Sequence, residues 1–245
     1  MLQEVLMGDA PLLQPDTWLG EMMGKPTYRL AFKDTLAQDI EASKDLAASL
    51  QKSVFVYTKI PTEHTECIPA LQRLGFTLVD TLISFQQVSP PVPLANPSEI
   101  RWAQTDDESS VVELARRSFQ RSRFHLDPKI SETIANRIKA EWVRNYFSGA
   151  RGEKMVIATK NGNPVGFIQV LRNACNVTID LIAVDPSTRK QGIAGNMIAF
   201  LMKHLGAKDT LHVGTQVSNV ASVRLYEKLG FRLQSSQYIF HYHHE

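Results

Sequence analysis

One stretch of the chain combines basic and small residues in a pattern that suits phosphate binding. It consists of seven consecutive residues: Arg189, Lys190, Gln191, Gly192, Ile193, Ala194 and Gly195. A strand pattern, Leu181 to Val184, precedes it, and helical apolar spacing follows it. A helix that begins here leaves backbone N–H groups free and carries partial positive charge, so a diphosphate is the expected ligand. Ordinary tight packing of small residues is the alternative.

A second stretch places three polar residues at helical spacing after another strand. Asn219 stands where the helix is predicted to begin, and Ser222 and Tyr226 share one face at a spacing of four residues. The other face is predicted to bury Ala221, Leu225 and Leu229. A tyrosine that simply packs on the sheet is the alternative for Tyr226.

The two stretches together resemble a known superfamily. The spacing Arg189-x-x-Gly192-x-Ala194 resembles the pyrophosphate loop of the GCN5-related N-acetyltransferases, the GNAT superfamily. The pattern Asn-x-x-Ser-x-x-x-Tyr-x-x-x-Gly-Phe, from Asn219 to Phe231, is similar to its companion motif. The resemblance implies acetyl-coenzyme A as co-substrate. It also implies that backbone N–H groups at Ile182, Ala183 and Val184 bind the coenzyme.

The transfer that this resemblance implies needs three chemical roles. A neutral amine attacks the thioester carbonyl, an N–H donor stabilises the oxyanion, and the thiolate receives a proton. By resemblance the N–H of Val184 is the oxyanion donor and Tyr226 is the general acid. Asp180 occupies the position where some members carry a Glu that acts as base through water. A solvated or hydrogen-bonded carboxylate is the alternative for Asp180.

The amine acceptor is expected at a basic loop between the first helices of this region. The loop contains Arg116, Arg117, Arg121 and Arg123, which would suit a diphosphate, and a solvated basic helix end is the alternative. With the surrounding residues the loop resembles the dTDP-4-amino-4,6-dideoxygalactose (fucosamine) N-acetyltransferases of bacterial surface-polysaccharide synthesis. That likeness implies a nucleotide-linked amino-sugar, a homodimer, and a set of substrate-binding residues: Arg121, Arg123, Phe124, His125 and Asp127.

Two other classes of function stay open from the sequence. One is a GNAT enzyme that acts on a different amine, such as a protein N-terminus, a polyamine or another amino-sugar. The other is a coenzyme A-binding module without catalytic activity. Turnover with a panel of amines separates the three.

Composition excludes several classes of partner. The 245 residues carry a formal charge of +2, which gives no reason to expect nucleic acid or an acidic membrane surface. No apolar run is long enough to span a membrane, and a cytoplasmic protein is expected. Cys67 and Cys175 are predicted to be buried thiols. His241, His243 and His244 lack a carboxylate or cysteine partner in the sequence, so no metal site is predicted.

The order of predicted elements gives an α/β fold, in the α+β sense, with a mixed central sheet flanked by helices. Leu74-Gly75-Phe76 and Leu229-Gly230-Phe231 each end a helix before a strand, and the two regions look like diverged repeats. We therefore expect a degenerate GNAT-like domain at residues 1–88 and a catalytic domain at 98–245. A proline-rich linker, 89–97, joins them.

Overall fold

The computed structural model describes residues 6–7, 10–42, 46, 48, 50–87 and 99–244. The predicted linker, 89–97, lies outside the described residues. The strands are β1 Leu6–Met7, β2 Ala10–Pro11, β3 Leu13–Pro15, β4 Thr27–Leu30, β5 Val54–Pro61, β6 Thr77–Gln87, β7 Glu99–Trp102, β8 Lys154–Lys160, β9 Asn163–Asn173, β10 Asn176–Val184, β11 Thr210–Gln216 and β12 Phe231–His244. The α-helices are α1 Thr17–Met23, α2 Leu36–Ala42, α3 Cys67–Arg73, α4 Glu108–Ser118, α5 Arg123–Leu126, α6 Glu132–Phe147, α7 Ile193–Lys203 and α8 Val220–Lys228.

The chain divides into two compact units, each of which is built from segments that are not consecutive in the sequence. The first unit contains residues 1–82, 123–134 and 236–245, and the second contains 83–122 and 135–235. The segment 123–134 and the C-terminal residues therefore group with the N-terminal part of the chain. The division expected from the sequence, into domains 1–88 and 98–245 that are diverged repeats, stays a proposal.

In the first unit, short strands form a mixed sheet around an aliphatic core. β3 pairs antiparallel with β4, β4 runs parallel to β5, and residues 237–244 of β12 pair antiparallel with β5. Leu30, Val56 and Phe240 lie in the core. Gly75 has φ +90° after α3, and Phe76 is buried behind it, so the predicted glycine cap is confirmed.

In the second unit the sheet has the order β6-β11-β10-β9-β8-β7. The pairs from β7 to β10 are antiparallel, and β10 and β11 are parallel. The Asn-Gly pair at 161–162 predicts a two-residue hairpin turn. Asn161 and Gly162 have φ of +53° and +77° and form this turn between β8 and β9. Gly230 (φ +82°) repeats the helix cap of the first unit, and Phe231 is buried behind it.

The two faces of this second sheet carry different helices. Leu181 and Ala183 of β10 pack in a core with α4 and α6. Ile182 and Val184 pack against the opposite core, which contains α7 and α8. Before the middle of β10, Val177 and Ile179 face the α7 and α8 side, so the alternation of the strand changes at Asp180. None of the helices in the described part of the chain is long and apolar enough to cross a membrane.

Several local expectations were wrong. The basic loop expected between the first helices contains helix α5, and its Arg116 and Arg117 lie in α4. Cys175 is exposed, because it lies in the turn between β9 and β10, whereas Cys67 is buried as expected. In α8 the predicted buried face was only partly right: Leu229 is buried and Leu225 packs partly against the same core, but Ala221 is exposed and Tyr226 is buried.

Candidate active site

Strands β10 and β11 part in the middle of the second unit. Their parallel pairing runs from Asn176–Thr210 to Ile179–Val213. A β-bulge follows between Ile179 and Leu181, after which β10 stays paired with β9 as far as Val184. The separation of β10 from β11 begins at the bulge, five residues before Asp185. A gap therefore opens beside residues 181–184 of β10.

Backbone geometry shows which N–H groups face this gap. Val184 lies opposite Gly166 of β9, and the next N–H, of Asp185, donates to the Val165 carbonyl at 2.8 Å. Val184 and Gly166 are therefore a non-hydrogen-bonded pair, and a residue in such a pair directs its own N–H and C=O away from the partner strand. Val184 and, two residues earlier, Ile182 thus point their N–H groups into the gap. The buried Ala183 points its N–H toward β9, so the structure does not bring this predicted coenzyme contact into the gap.

The predicted phosphate loop enters α7 through left-handed backbone. Lys190 has φ +64° and Gly192 has φ +80°, and Gly192 is the N-cap. The first helical bond joins the Asn196 N–H to the Gly192 carbonyl at 3.0 Å, so the N–H groups of the first turn have no partner within the helix. Residues 189–192 are exposed, whereas Ile193 and Gly195 are buried. This arrangement of amides and cations fits a diphosphate.

The side chain of Arg189 bonds to backbone carbonyls. Its Nε donates to the Val184 carbonyl at 3.2 Å, and its Nη2 donates to the Ser118 carbonyl at 2.8 Å. The exposed amide of Gln191 accepts from Lys160 Nζ at 3.3 Å. Carbonyls are weaker partners for a guanidinium than a phosphate, so these contacts leave Arg189 able to turn to an anion.

The second motif forms a hydrogen-bonded chain at the start of α8. Asn219 Nδ2 donates to Thr215 Oγ1 at 3.2 Å and to Ser222 Oγ at 2.8 Å. Tyr226 is 1% exposed and packs on Phe85 and Phe231, with ring centroids 5.7 and 5.6 Å away. Burial raises the pKa of Tyr226 well above its usual 10. A hydrogen bond with Ser222 lowers this pKa by a smaller amount. The phenol therefore stays protonated at neutral pH.

The candidate base, Asp180, has both oxygens engaged. Arg151 Nε and Nη2 donate to its two oxygens at 2.7 Å each, and Gln169 Nε2 donates at 3.3 Å. A base needs an oxygen that can accept the proton of the substrate. Asp180 therefore matches the alternative of a hydrogen-bonded carboxylate, and its role as base stays a prediction.

The predicted substrate residues separate between the two units. Arg121 belongs to the second unit, where its Nη1 donates to the Ser218 carbonyl at 2.7 Å. Arg123, Phe124, His125 and Asp127 belong to the first. The Arg123 guanidinium lies over the rings of Tyr57 and Phe124, at 4.1 and 4.3 Å, and burial lowers its pKa to about 10. Phe124 and Asp127 are 1% and 4% exposed and make their contacts within the first unit.

Sequence reasoning missed the partner of the C-terminal histidines. His241 Nδ1 and His243 Nε2 lie 2.6 and 2.7 Å from Oδ2 of Asp127, and the Lys129 N–H donates to Oδ1 at 2.9 Å. The statement that these histidines lack a carboxylate was therefore wrong. Burial alone would raise the pKa of Asp127, but these hydrogen bonds hold it well below its usual range.

The three side chains also form a possible donor set for a metal, with ligand atoms within 4.8 Å of one another. Arg123 Nη1 lies 3.1 Å from His241 Nε2. Arginine can only donate, so the His241 proton must lie on Nδ1, where it faces Asp127. A metal on Nδ1 would leave an Nε2–H pointing at the guanidinium donor. The geometry favours a hydrogen-bonded network over a metal centre.

Comparison with known proteins gives consistent matches. A family model described as an acetyltransferase (GNAT) domain matches residues 112–242. The spore coat polysaccharide biosynthesis protein SpsD of Bacillus subtilis (strain 168) is 31% identical over 201 residues, which cover 78% of this chain and 68% of that protein. The dTDP-fucosamine acetyltransferase of Escherichia coli O6:H1 is 28% identical over 185 residues, with coverage of 75% and 79%.

Among solved structures, a tandem GNAT protein from the clavulanic acid biosynthesis pathway superposes with a TM-score of 0.58. The match covers 89% of this chain and 75% of that one, at 10% identity. At this identity the likeness concerns the fold alone. It agrees with the mixed sheet and flanking helices that the sequence predicted.

Proposed function

Because the chain belongs to the GNAT family and is an acetyl-coenzyme A-dependent N-acetyltransferase, we propose that it acetylates the amine of a nucleotide-linked 4-amino-6-deoxysugar. One structural observation carries the chemical part of the proposal: β10 and β11 part after Ile179 and leave the Val184 N–H directed into the gap. The substrate class is supported by the dTDP-fucosamine acetyltransferase, whose match covers 75% of the chain. The polysaccharide function of the Bacillus relative supports the same class.

The proposed reaction is direct transfer. The lone pair of the neutral amine forms the C–N bond at the thioester carbonyl carbon, and the C–S bond breaks. The Val184 N–H donates to the carbonyl oxygen as it gains negative charge, and preorganised donors of this kind usually make the largest single contribution to catalysis. Tyr226 donates its proton to the departing thiolate. The amine loses its proton to solvent, because Asp180 is held by Arg151.

The same residues account for binding of the coenzyme. The backbone N–H groups at the start of α7 and the charges of Arg189 and Lys190 would hold the diphosphate. The Ile182 N–H, which points into the same gap as that of Val184, would bond to the pantetheine. Asn219 and Ser222 support Tyr226 through the hydrogen-bonded chain at the start of α8.

For the acceptor, Arg121 is the best-supported of the predicted sugar-nucleotide contacts. It is exposed and lies in the second unit, like the gap. Arg123, Phe124 and Asp127 are committed to contacts in the first unit and are weaker candidates. We also propose that the enzyme is cytoplasmic and that it is a homodimer, the latter because the resemblance implies a dimer.

A panel of amines tests this proposal. Acetyl-coenzyme A is mixed with dTDP- and UDP-4-amino-6-deoxysugars, polyamines and peptides with free N-termini. Released coenzyme A is measured with a thiol dye, and the product is identified by mass spectrometry. The exposed thiol of Cys175 reacts with the dye, so the Cys175→Ser variant sets the background. Turnover with simple amines and none with nucleotide sugars would remove the substrate assignment.

A further inference from the structure

The bulge in β10 carries a charged and nearly buried side chain. Asp180 lies between the last residue paired with β11 and the first residue that borders the gap. Its side chain is 10% exposed and accepts both hydrogen bonds of the Arg151 fork at 2.7 Å. A bidentate pair fixes direction as well as distance, so the position of Asp180 follows that of Arg151.

Arg151 is itself held firmly by its surroundings. Its backbone N–H donates to the Asn145 carbonyl at 2.9 Å, and its guanidinium lies 4.8 Å from the centre of the Trp142 ring. The next residue, Gly152, has φ +93°, and a Cβ there would lie 3.1 Å from Tyr146. The end of α6 and the turn into β8 therefore position the Arg151 guanidinium beside the bulge.

The third contact of Asp180 comes from a buried amide on β9. Gln169 is fully buried, and its Nε2 donates to Asp180 at 3.3 Å. Gln169 lies opposite Leu181, the first residue after the bulge. The carboxylate is thus tied both to β9 and to the α6–β8 turn.

The parting of two parallel strands needs something to maintain it. The N–H groups of Ile182 and Val184 would gain hydrogen bonds if β10 continued along β11, and unpaired backbone groups are costly when water is excluded. The bulge prevents this continuation because it changes the strand alternation at Asp180.

We propose that Arg151 is a positioning residue: by clamping Asp180 it fixes the bulge and so keeps the N–H groups of Ile182 and Val184 unpaired and directed into the gap. The inference rests on the proposed role of the Val184 N–H. It assigns Asp180 to the clamp instead of to proton transfer.

The clamp and the base hypothesis give opposite results for three variants. With a clamp, Asp180→Asn, Arg151→Gln and the double variant lose a similar part of kcat, about 30-fold, because each breaks the same pair. The KM for acetyl-coenzyme A changes less than kcat, and the shape of the pH–rate profile is unchanged. With a base, Asp180→Asn alone abolishes the acid limb of the profile, and Arg151→Gln retains activity or gains it.

A matched control is present in the same unit. Arg172 and Asp209 also form a bidentate pair, at 2.7 and 3.0 Å, with side chains 32% and 9% exposed against 35% and 10% for Arg151 and Asp180. Arg172→Gln is expected to leave kcat within 2-fold of the wild type. An equal loss of kcat in Arg172→Gln would overturn the clamp.

A second measurement is independent of the acceptor. Amide hydrogen exchange at Ile182 and Val184, followed by NMR without substrates, is expected to slow at least 10-fold in Arg151→Gln as the strands close. Unchanged exchange at both amides overturns the clamp even if the sugar assignment is correct. Slower exchange supports it even if every acceptor in the panel fails. If Arg151→Gln does not fold, Arg151→Lys keeps the charge without the fork and gives the same comparison.

Discussion

His241 Nδ1 and His243 Nε2 converge on a single oxygen, Oδ2 of Asp127, at 2.6 and 2.7 Å. Phe55 packs against both imidazoles, with ring centroids 4.9 and 4.8 Å away. The carboxylate is therefore fixed by two ring donors in a nearly dry environment. This arrangement makes the first unit sensitive to acid, with a direction that follows from the pKa values.

Stability is expected to fall as the pH drops from about 6.5 to 4. Burial, aided by the charge of Arg123, lowers the pKa of His241 from 6.5 to about 4. The imidazole therefore binds its proton more readily in the unfolded chain than in the folded one. The free energy of unfolding is at its full value above pH 6.5 and falls by up to about 3 kcal/mol toward pH 4. Below pH 4, protonation of Asp127 lowers the free energy of unfolding further. Thermal unfolding across this pH range measures the effect, and His241→Asn, which keeps a donor without titrating, should flatten the slope.

The surface residue His212 provides the control for this prediction. It lies on β11 and contacts Asn176 and Gln234 at 3.2 Å. The slope of the wild type should persist in His212→Asn. Equal slopes in the wild type and His241→Asn would show that His241 is not the acid-sensitive group.

Chelation is expected to leave the stability of the first unit unchanged. The Arg123 donor at His241 Nε2 places the imidazole proton on Nδ1, which then serves Asp127 and cannot bind a metal. Thermal midpoints with and without EDTA should agree within 1–2 °C, and added Zn²⁺ should give no saturable increase. A saturable increase that His243→Ala abolishes would identify a metal centre and contradict the hydrogen-bonded network.

Gly166→Ala is expected to destabilise the second unit by about 1–3 kcal/mol. A Cβ at this position would lie 3.0 Å from Met197 Cε and 3.2 Å from the Ala183 carbonyl. Met197 Cε is the flexible end of a side chain, but the carbonyl belongs to paired β10, so β9 and β10 must shift locally. Val184 lies opposite Gly166, and coenzyme binding should therefore weaken. Chemical denaturation and calorimetry with acetyl-coenzyme A measure the two effects.

Gly162→Ala provides a control with free space around it. Gly162 has nothing within 4 Å of the added Cβ, although its φ of +77° adds strain. The cost there is expected to be about 1 kcal/mol, with unchanged coenzyme affinity. A Gly166→Ala variant that binds the coenzyme as tightly as Gly162→Ala would show that the close approach of β9 to the Ala183 carbonyl is not required.

Local patterns in the sequence predicted much of the second unit. The turn at Asn161 and Gly162 and the glycine caps at Gly75 and Gly230 were confirmed because each depends on positive φ, which few residues tolerate. The motif residues from Arg189 to Gly195 lie at a helix N-terminus as expected. In both cases the signal lies within a few consecutive residues.

What the sequence did not reveal depends on long-range contacts. Asp127 and His241 are 114 residues apart, and no periodicity links them. The ion pair of Arg151 with Asp180 joins a turn to a strand, so spacing alone left open whether Asp180 is a base, a solvated carboxylate or a hydrogen-bonded one. In α8, Tyr226 is buried against Phe85 of β6, a contact that no local spacing in the sequence indicates.

Tyr226→Phe is expected to lower kcat by about 10²–10³-fold, because a positioned general acid contributes an effect of this size. The KM for acetyl-coenzyme A should stay within 3-fold. The phenyl ring keeps its packing on Phe85 and Phe231, so loss of the hydrogen bond with Ser222 costs only about 1 kcal/mol of stability. Ser222→Ala removes the same bond but keeps the proton, and it should lose no more than about 10-fold in kcat.

Because burial raises the pKa of Tyr226 above 10, the wild-type kcat should not decline through loss of this proton between pH 7 and 9. A Tyr226→Phe enzyme with more than a third of the wild-type kcat would exclude the tyrosine as proton donor and leave solvent to protonate the thiolate.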